Sequence, residues 1–440
     1  MIYIPLYEVI SVATLSVEER LAILRDYHGM TRADFAKIAK LDALSVKFVE
    51  RGDGVYTEKE VNKFMTHFDL HGLPVSPDED VVFKEGLYRF RDVIRGGDLE
   101  GAREIHLSMA NIDNLDPCSP DLVMLARVFQ AQLLMAENDC ESAKERLDAA
   151  ETYLYRADNE NQYHYNYSMG IFNNKQGEYI KGTEFLEKAY ELLDGDANLL
   201  PEDDVKLYYD LAMCYAHIGK PYRAIFFTEK SMQMHPEERN INRFLYLGSR
   251  LALNYIRVNK LCRAEKLLDK CMIKAKSTRD DINIGRVSFV FGYLFERSEN
   301  WDLAIDYFDQ ALKYLAKGTD NYFAALWHKI HCITRKRKHS EAEREIEKAM
   351  DSCSTNELWQ IYFKAQECYL NINRRTSRPN DSECEYIETV AIPYFRENHD
   401  HFIALEYCKR LVRHYEKSGR HAKSSQIKSI IIEILEWVFS

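Results

Sequence analysis

From about residue 84 onward the chain repeats one arrangement of side-chain size: a small residue, a large one four positions later, and a small one three after that. The copies are Ala143/Leu147/Ala150, Gly182/Leu186/Ala189, Ala224/Thr228/Ser231, Ala264/Leu268/Cys271, Ala304/Phe308/Ala311 and Ala342/Ile346/Ala349. A weaker copy, Ala102/His106/Met109, precedes them. Twelve residues upstream of each full copy stands a second small residue: Ala131, Gly170, Ala212, Ala252 and Gly292, with Ile330 the exception. Two helices approach closely only where a side chain is small, and the large residue one turn away fills the hole beside it. One such pair cannot bury both its faces, so the pattern demands a stack.

The arrangement follows the tetratricopeptide signature, whose nominal period is about 34 residues. Here the first members, from Ala102 to Ala342, are 41, 39, 42, 40, 40 and 38 residues apart. Lengthened helices or connections are implied, and a single coiled coil is excluded because no heptad is sustained. Pro236 ends the Ala224 copy, since a helix does not run through proline. After about Cys368 the register weakens: Asn371 to Cys384 reads as a loop, followed by helices over about 401–417 and 421–438. The last of these is unusually apolar. It is either a cap folded onto the array or a helix that packs against a second copy of the chain.

Gly (18) and Pro (10) are scarce for 440 residues, which favours long helices with short connections. The ten cysteines form no CxxC, and several, such as Cys214 and Cys271, fall where a repeat wants a small apolar side chain. They read as reduced buried thiols, with no metal and no cofactor expected. A phosphate loop, a GxSxG and an HExxH are all missing, so enzyme activity is not expected. The stretch MIYIPLYEVI carries Glu8 and lacks a basic region and a cleavage site. No apolar run approaches the ~20 residues of a membrane helix, so the expectation is a cytoplasmic protein without membrane contact. The formal charge of -11 does not advertise nucleic-acid binding, so any DNA contact must come from a local feature.

Such a feature lies at Met30 to Gly52, MTRADFAKIAKLDALSVKFVERG. It resembles, without gaps, the bacterial helix-turn-helix pattern. Thr31 caps the first helix, Ala36 is the small residue at the crossing, and Val46 and Val49 face inward. The second helix, about Ala43 to Glu50, is the one that enters a major groove. The residues it and its neighbours offer to DNA are Thr31, Arg32, Asp42, Leu44, Ser45, Lys47 and Arg51. Lys40 stands where the turn commonly carries Gly. Residues 1–70 hold nine Lys/Arg against eleven Asp/Glu, which predicts weak phosphate attraction. A helical bundle that keeps the packing of this motif without its ligand is the other reading. A further helix, about Thr57 to Phe68, closes the head, and Leu73 to Pro77 reads as the linker.

In a stack of this kind the first helix of each pair lines an inner groove. Setting each repeat by its small residue places Tyr167, Asn174 and Lys175 on that groove, then Tyr209 and His217, then Ser249, Leu253 and Arg257. Arg286, Phe289, Tyr293 and Arg297 follow, then Trp327, His331 and Arg335. Lys175, His217, Arg257, Arg297 and Arg335 share one register, a ladder of cations. A basic rail for a carboxylate-bearing ligand is one reading, since guanidinium pairs with carboxylate bidentately. The other is that a cation near each helix end offsets the helix dipole. Asn166, Asn173, Asn174 and Asn254 offer amides able to clamp a peptide backbone.

A head of this kind joined to lengthened tetratricopeptide-like repeats resembles the RRNPP family of peptide-sensing quorum-sensing regulators, with its NprR-, PlcR- and AimR-like members. The resemblance implies an all-α chain: a helix-turn-helix head over 1–70, a linker over 71–83, and a right-handed superhelix of repeats over 84–370. A loop and C-terminal capping or dimerisation helices complete it over 371–440. It further implies a homodimeric transcription regulator that binds double-stranded DNA through the head and a short signalling peptide in the groove. The peptide residues would be Tyr167, Asn174, Lys175, Tyr209, His217, Asn254, Arg257, Arg286, Tyr293, Arg297, His331 and Arg335. The alternative, after the Rap branch, is an interaction scaffold whose helical head grips a signalling protein.

Overall fold

The computed structural model describes residues 15–193, 201–234, 241–374 and 381–439. The stretch Met1–Ile10 and Pro236, both read from sequence above, lie outside these residues. All regular structure among the described residues is helical. None of these helices is long and apolar enough to cross a membrane. The chain divides into two compact units, Met1–Leu200 and Pro201–Ser440.

The first unit opens with four short helices, α1 (Val17–Tyr27), α2 (Arg32–Ala39), α3 (Ala43–Glu50) and α4 (Glu58–His67). Each start is marked by a side chain that satisfies backbone N–H groups left free at a helix end. Ser16 and Glu19 form a reciprocal capping box, Thr31 accepts from the Asp34 N–H, and Asp42 from that of Ser45. Lys40 closes α2 in the left-handed region at φ 63°, a conformation that costs a residue with a Cβ. Phe35, Ala36, Val46, Val49 and Phe64 are buried, and Phe35 stacks on Phe64 at 4.0 Å.

Helices α5 (Pro77–Gly96) and α6 (Leu99–Ser108) follow, then the pairs α7 (Pro120–Ala136) with α8 (Cys140–Glu151) and α9 (Asn159–Lys175) with α10 (Tyr179–Leu193). Residues 77–83, expected to belong to a linker, are the first turns of α5. Ser76 caps it, Pro77 sits in its first turn, and Asp78, Glu79 and Asp80 complement its dipole. Leu73 and Val75 before it are buried in a core that runs without interruption from Leu21 to Phe172. Arg20, 1% exposed, fastens α1 to the array: its Nη1 donates to Asp80 Oδ1 at 2.9 Å and to Ser119 Oγ at 2.8 Å. Head and first repeats therefore share one hydrophobic core.

The second unit continues the pairs: α11 (Pro201–His217) with α12 (Pro221–Met234), α13 (Ile241–Arg257) with α14 (Leu261–Thr278), α15 (Asp281–Arg297) with α16 (Trp301–Tyr314), and α17 (Asp320–Arg335) with α18 (His339–Ser352). Helix α19 (Glu357–Arg374) runs through the start of the stretch expected to be a loop, and α20 (Asp381–Tyr386) takes up its end; residues 375–380 lie outside the described residues. A π-helical turn, Ile387–Ala391, joins α20 to α21 (Ile392–Glu397). Pro393 stands just beyond it; proline lacks the N–H that an uninterrupted α-helix needs and crowds the preceding turn, which the wider turn accommodates. The final pair is α22 (His401–Lys417) and α23 (His421–Phe439).

All three positions of all six full copies are buried on α8, α10, α12, α14, α16 and α18. The partner positions explain the choice of residue. A Cβ on Gly170 would lie 2.6 Å from Leu186, and one on Gly292 2.6 Å from the Phe308 ring. Between the helices of each pair from α5–α6 to α17–α18 one residue adopts positive φ: Gly97, Asn138, Gly177, Gly219, Asn259, Glu299 and Arg337. That series repeats the spacing of the small residues.

Within the second unit the last pair returns to the first. Trp437 Nε1 donates to the Ile218 carbonyl at 2.8 Å, Lys220 Nζ lies 4.9 Å from the Trp437 ring centre, and Tyr222 and Phe439 approach to 5.7 Å. A Cβ on Gly219 would meet His401 at 2.5 Å. Overpacking at a helix crossing is poorly tolerated, so Gly292→Leu is expected to lower stability by about 2–3 kcal/mol in urea titration followed by circular dichroism. A Gly86→Leu control, on helix α5 with no atom near the added Cβ, separates packing loss from any general effect of removing glycine.

Candidate functional site

The return of α22 and α23 encloses a cavity of about 270 Å³ in the second unit. One wall comes from the inner helices and includes Arg257, Tyr293, Arg297, Trp327, His331 and Arg335; the other comes from the last pair and includes Phe402 and Leu435. Five of the residues proposed from sequence as peptide contacts thus meet in one place. Each ladder cation is the last residue of its helix, as Arg257, Arg297 and Arg335 close α13, α15 and α17. Arg335 stacks over Trp301, the first residue of α16, at 5.1 Å and lies 3.9 Å from Glu299 in the turn before it. Arg257 lies 5.1 Å from the Phe402 ring centre, and burial lowers its pKa. Among the described residues neither Arg257 nor Arg297 has a carboxylate within ion-pair distance. Both are donors without an anion.

A buried polar relay forms part of the cavity wall, through Glu296, His328, His331 and Glu406. Glu296 accepts from His328 Nδ1 at 2.6 Å and from His331 Nδ1 at 2.7 Å, and His331 Nε2 lies 2.5 Å from Arg410 Nη2. Arg410 Nε donates to Glu406 Oε1 at 3.0 Å and its guanidinium stacks on Tyr369 at 3.9 Å. Burial and the Arg410 charge push the His331 pKa down, so the ring is neutral. A neutral ring that donates through Nδ1 presents a lone pair at Nε2, the acceptor Arg410 requires. Burial alone would raise the Glu296 carboxyl, but the two imidazoles hold it well below the usual range. His331 therefore lines the cavity with both nitrogens already engaged.

The remaining candidates are placed differently. Tyr167, Asn174 and Lys175 belong to the first unit. Tyr167 is buried and stacks on Tyr163 at 6.2 Å. The Asn174 side-chain oxygen packs against Gly182 of α10, inside its own helix pair. Lys175 Nζ donates to the Met135 carbonyl and lies 3.2 Å from Asn138 Oδ1 in the preceding turn. In the second unit Asn254 is 2% exposed, and its side-chain oxygen has no hydrogen-bond partner among the described residues. Desolvation, with Arg250 and Arg257 adding, lowers the His217 pKa to about 4. Tyr209 lies 6.2 Å from Tyr246, and Arg286 stands over Tyr246 at 5.3 Å. Arg243, Tyr246 and Arg250, which the repeat register passed over, belong to this cluster. Their signal was available: Arg243, Arg250 and Arg257 recur every seventh residue of α13.

On the head, α3 presents Ala43, Leu44 and Phe48 to solvent, with Leu44 65% and Phe48 55% exposed. Four of the seven DNA candidates have local work. Thr31 and Asp42 cap helices, Ser45 Oγ donates to Asp42 at 3.0 Å, and Arg32 pairs with Glu50 at 2.5 Å. Glu50 also accepts from Arg25 Nε at 2.6 Å, which ties the end of α3 to α1. Among the described residues Lys47 and Arg51 make no ion pair, and Arg51 is exposed.

No protein-family model matches the sequence, and a search of curated proteins finds no match. Solved structures do share the fold. The quorum sensor NprR from B. thuringiensis, in its apo form, is 16% identical with a TM-score of 0.63, covering 81% of this chain and 99% of that one. NprR with its cognate peptide NprX gives 16% and 0.59, covering 80% and 99%. A Rap protein complexed with competence and sporulation factor gives 12% and 0.61, covering 81% and 98%. Aspartyl phosphate phosphatase F from Bacillus subtilis gives 13% and 0.50, covering 80% and 93%. At these identities the likeness is one of fold: an all-helical, tetratricopeptide-like repeat chain.

The relay sets a pH dependence. Because the folded Glu296 pKa is depressed, its contribution is present above the ordinary carboxylate value of 4.5 and is lost as pH falls. Glu296→Gln should cost about 3 kcal/mol at pH 7, since it leaves buried partners uncompensated. Asp400 behaves oppositely: burial raises it to about 6 from 3.8, so stability falls as pH rises through that interval. Asp400→Asn should therefore melt higher than the parent above pH 6 and lose that advantage near pH 4 in thermal scans.

Proposed function

We propose that the protein is a peptide-responsive regulator of the RRNPP kind, whose ligand is a short peptide with a free carboxylate. The observation that carries this reading is the cavity in which Arg257 and Arg297 face aromatic side chains and, among the described residues, have no carboxylate within ion-pair distance, the lining Glu296 and Glu406 being paired elsewhere. A site built from guanidinium and aromatic groups recognises an anionic end joined to an apolar body. The solved relatives lend support, because NprR is seen with a cognate peptide. Binding would act on the output by favouring one arrangement of the chain over another, which requires different peptide affinities in the two.

For the output, our reading is that α2 and α3 form a helix-turn-helix that binds double-stranded DNA in the cytoplasm, with the chain acting as a homodimer and not as an enzyme. Lys47 and Arg51 are its available cations. A second reading is favoured by Leu44 and Phe48: an apolar pair one turn apart suits a protein surface better than a phosphate backbone, as in an interaction scaffold of the Rap type.

Two measurements test the proposal. In calorimetric titration against short peptides encoded beside the gene, a cognate peptide should bind, and Arg257→Ala with Arg297→Ala should weaken it at least about a hundredfold. Undiminished affinity in that double variant retires the cavity as the site. In gel retardation with fragments of the protein's own locus at low salt, Lys47→Ala with Arg51→Ala should weaken binding about tenfold and flatten its salt dependence. If no fragment is retarded while Leu44→Glu abolishes capture of a protein partner, the scaffold reading replaces the DNA one.

A further inference from the structure

The arginines of the second unit are arranged along one helix at a fixed interval. Arg243, Arg250 and Arg257 are each seven residues apart on α13, two helical turns, so they share a face at a spacing of about 10.5 Å. Their contacts confirm the shared face. Arg243 stands over Tyr209 at 5.3 Å, Arg250 over Tyr246 at 5.5 Å, and Arg257 over Phe402 at 5.1 Å while lining the cavity. Arg286 comes across from α15 to the same Tyr246 ring. Among the described residues Arg250, Arg257 and Arg286 have no carboxylate within ion-pair distance. Guanidinium groups held near one another repel, and an anion between them relieves that repulsion.

A peptide in the polyproline II conformation rises about 3.1 Å per residue and turns the same side to its partner every third residue, so that repeat spans about 9 Å, close to the interval between successive arginines. We infer that the ligand is an acidic peptide lying along α13 in the polyproline II conformation, with carboxylates at every third residue and its terminal carboxylate in the cavity. This rests on the proposal that the cavity takes the peptide's carboxylate, and adds the charge register of the rest of the ligand. The terminal group meets Arg257 and Arg297. An acid three residues upstream meets Arg250 and Arg286, and one six residues upstream meets Arg243. Tyr209 and Tyr246 supply the apolar contact between the charges.

The test uses the full-length protein and synthetic heptapeptides in isothermal titration calorimetry. The matched probe is Glu-Ala-Leu-Glu-Ala-Leu-Phe with a free C-terminus, and the mismatched probe is its isomer Glu-Glu-Ala-Ala-Leu-Leu-Phe. The matched probe should bind about tenfold more tightly, the loss expected from one misplaced charge-assisted contact. Arg250→Gln should remove that preference and leave the mismatched probe unchanged, while Arg250→Lys retains most of it. Equal affinity for the two isomers, no binding of either, or equally tight binding of a probe with lysines for both glutamates overturns the inference. A C-terminally amidated matched probe that binds as well as the acid instead removes the carboxylate from the cavity, and the ratio of the isomers still decides the register.

Discussion

Contact between the two helices of a pair, made where one or both carry glycine or alanine, is the constraint on which the rest of this structure depends. Gly170 against Leu186 and Gly292 against Phe308 leave no room for a methyl group, and that closeness fixes which side of each helix faces its partner. Once that side is fixed, so is the opposite one. The first helices present a constant face inward and end at a constant position, where Arg257, Arg297 and Arg335 stand. The chemistry of the cavity is in this sense a by-product of packing: cations suit the ends of helices for electrostatic reasons, and stacking brings several such ends together.

Much of this was legible from the residues. Repeat copies, turn spacing and the limits of α3 follow from side-chain size and from caps such as Asp42, all of which act within a few residues. The errors lie where a local signal was outweighed. The run Ser76-Pro77-Asp78-Glu79-Asp80 looks like a polar linker, yet it is the start of a helix: a cap, a proline in the first turn and three acids. Register puts Asn174 and Lys175 on the groove but does not say what their side chains touch there. One turns into its own pair and the other reaches back to the preceding turn. The far wall of the cavity was invisible for a different reason: periodicity says which face is buried but not which distant segment returns to cover it. Phe402 and Leu435 lie more than a hundred residues from Arg257 in the chain.

Net charge proved a poor guide to local chemistry. The chain carries a formal charge of -11, yet the inner helices of the second unit carry Arg250, Arg257, Arg286 and Arg297, which among the described residues have no carboxylate within ion-pair distance. Two of the acids closest to the cavity, Glu296 and Glu406, are committed to His328, His331 and Arg410. That commitment keeps them from quenching Arg257 and Arg297. A buried ion network is a weak source of stability on its own account. Here it sorts the charges: Glu296 and Glu406 line the cavity beside Arg257 and Arg297 but are paired with His328, His331 and Arg410.

The hydrogen bond from Trp437 to the Ile218 carbonyl joins residues 219 apart in the chain. Repeat arrays ordinarily behave as one-dimensional chains in which each unit feels only its neighbours, so their ends fray while the middle persists. A circle has no ends to fray. Closing it constrains a long loop, an entropic cost met once, after which losing any member exposes two neighbours and releases the seam together. The Pro201–Ser440 half is thus built to melt as one cooperative block, and damage at the seam is felt by helices that never touch it.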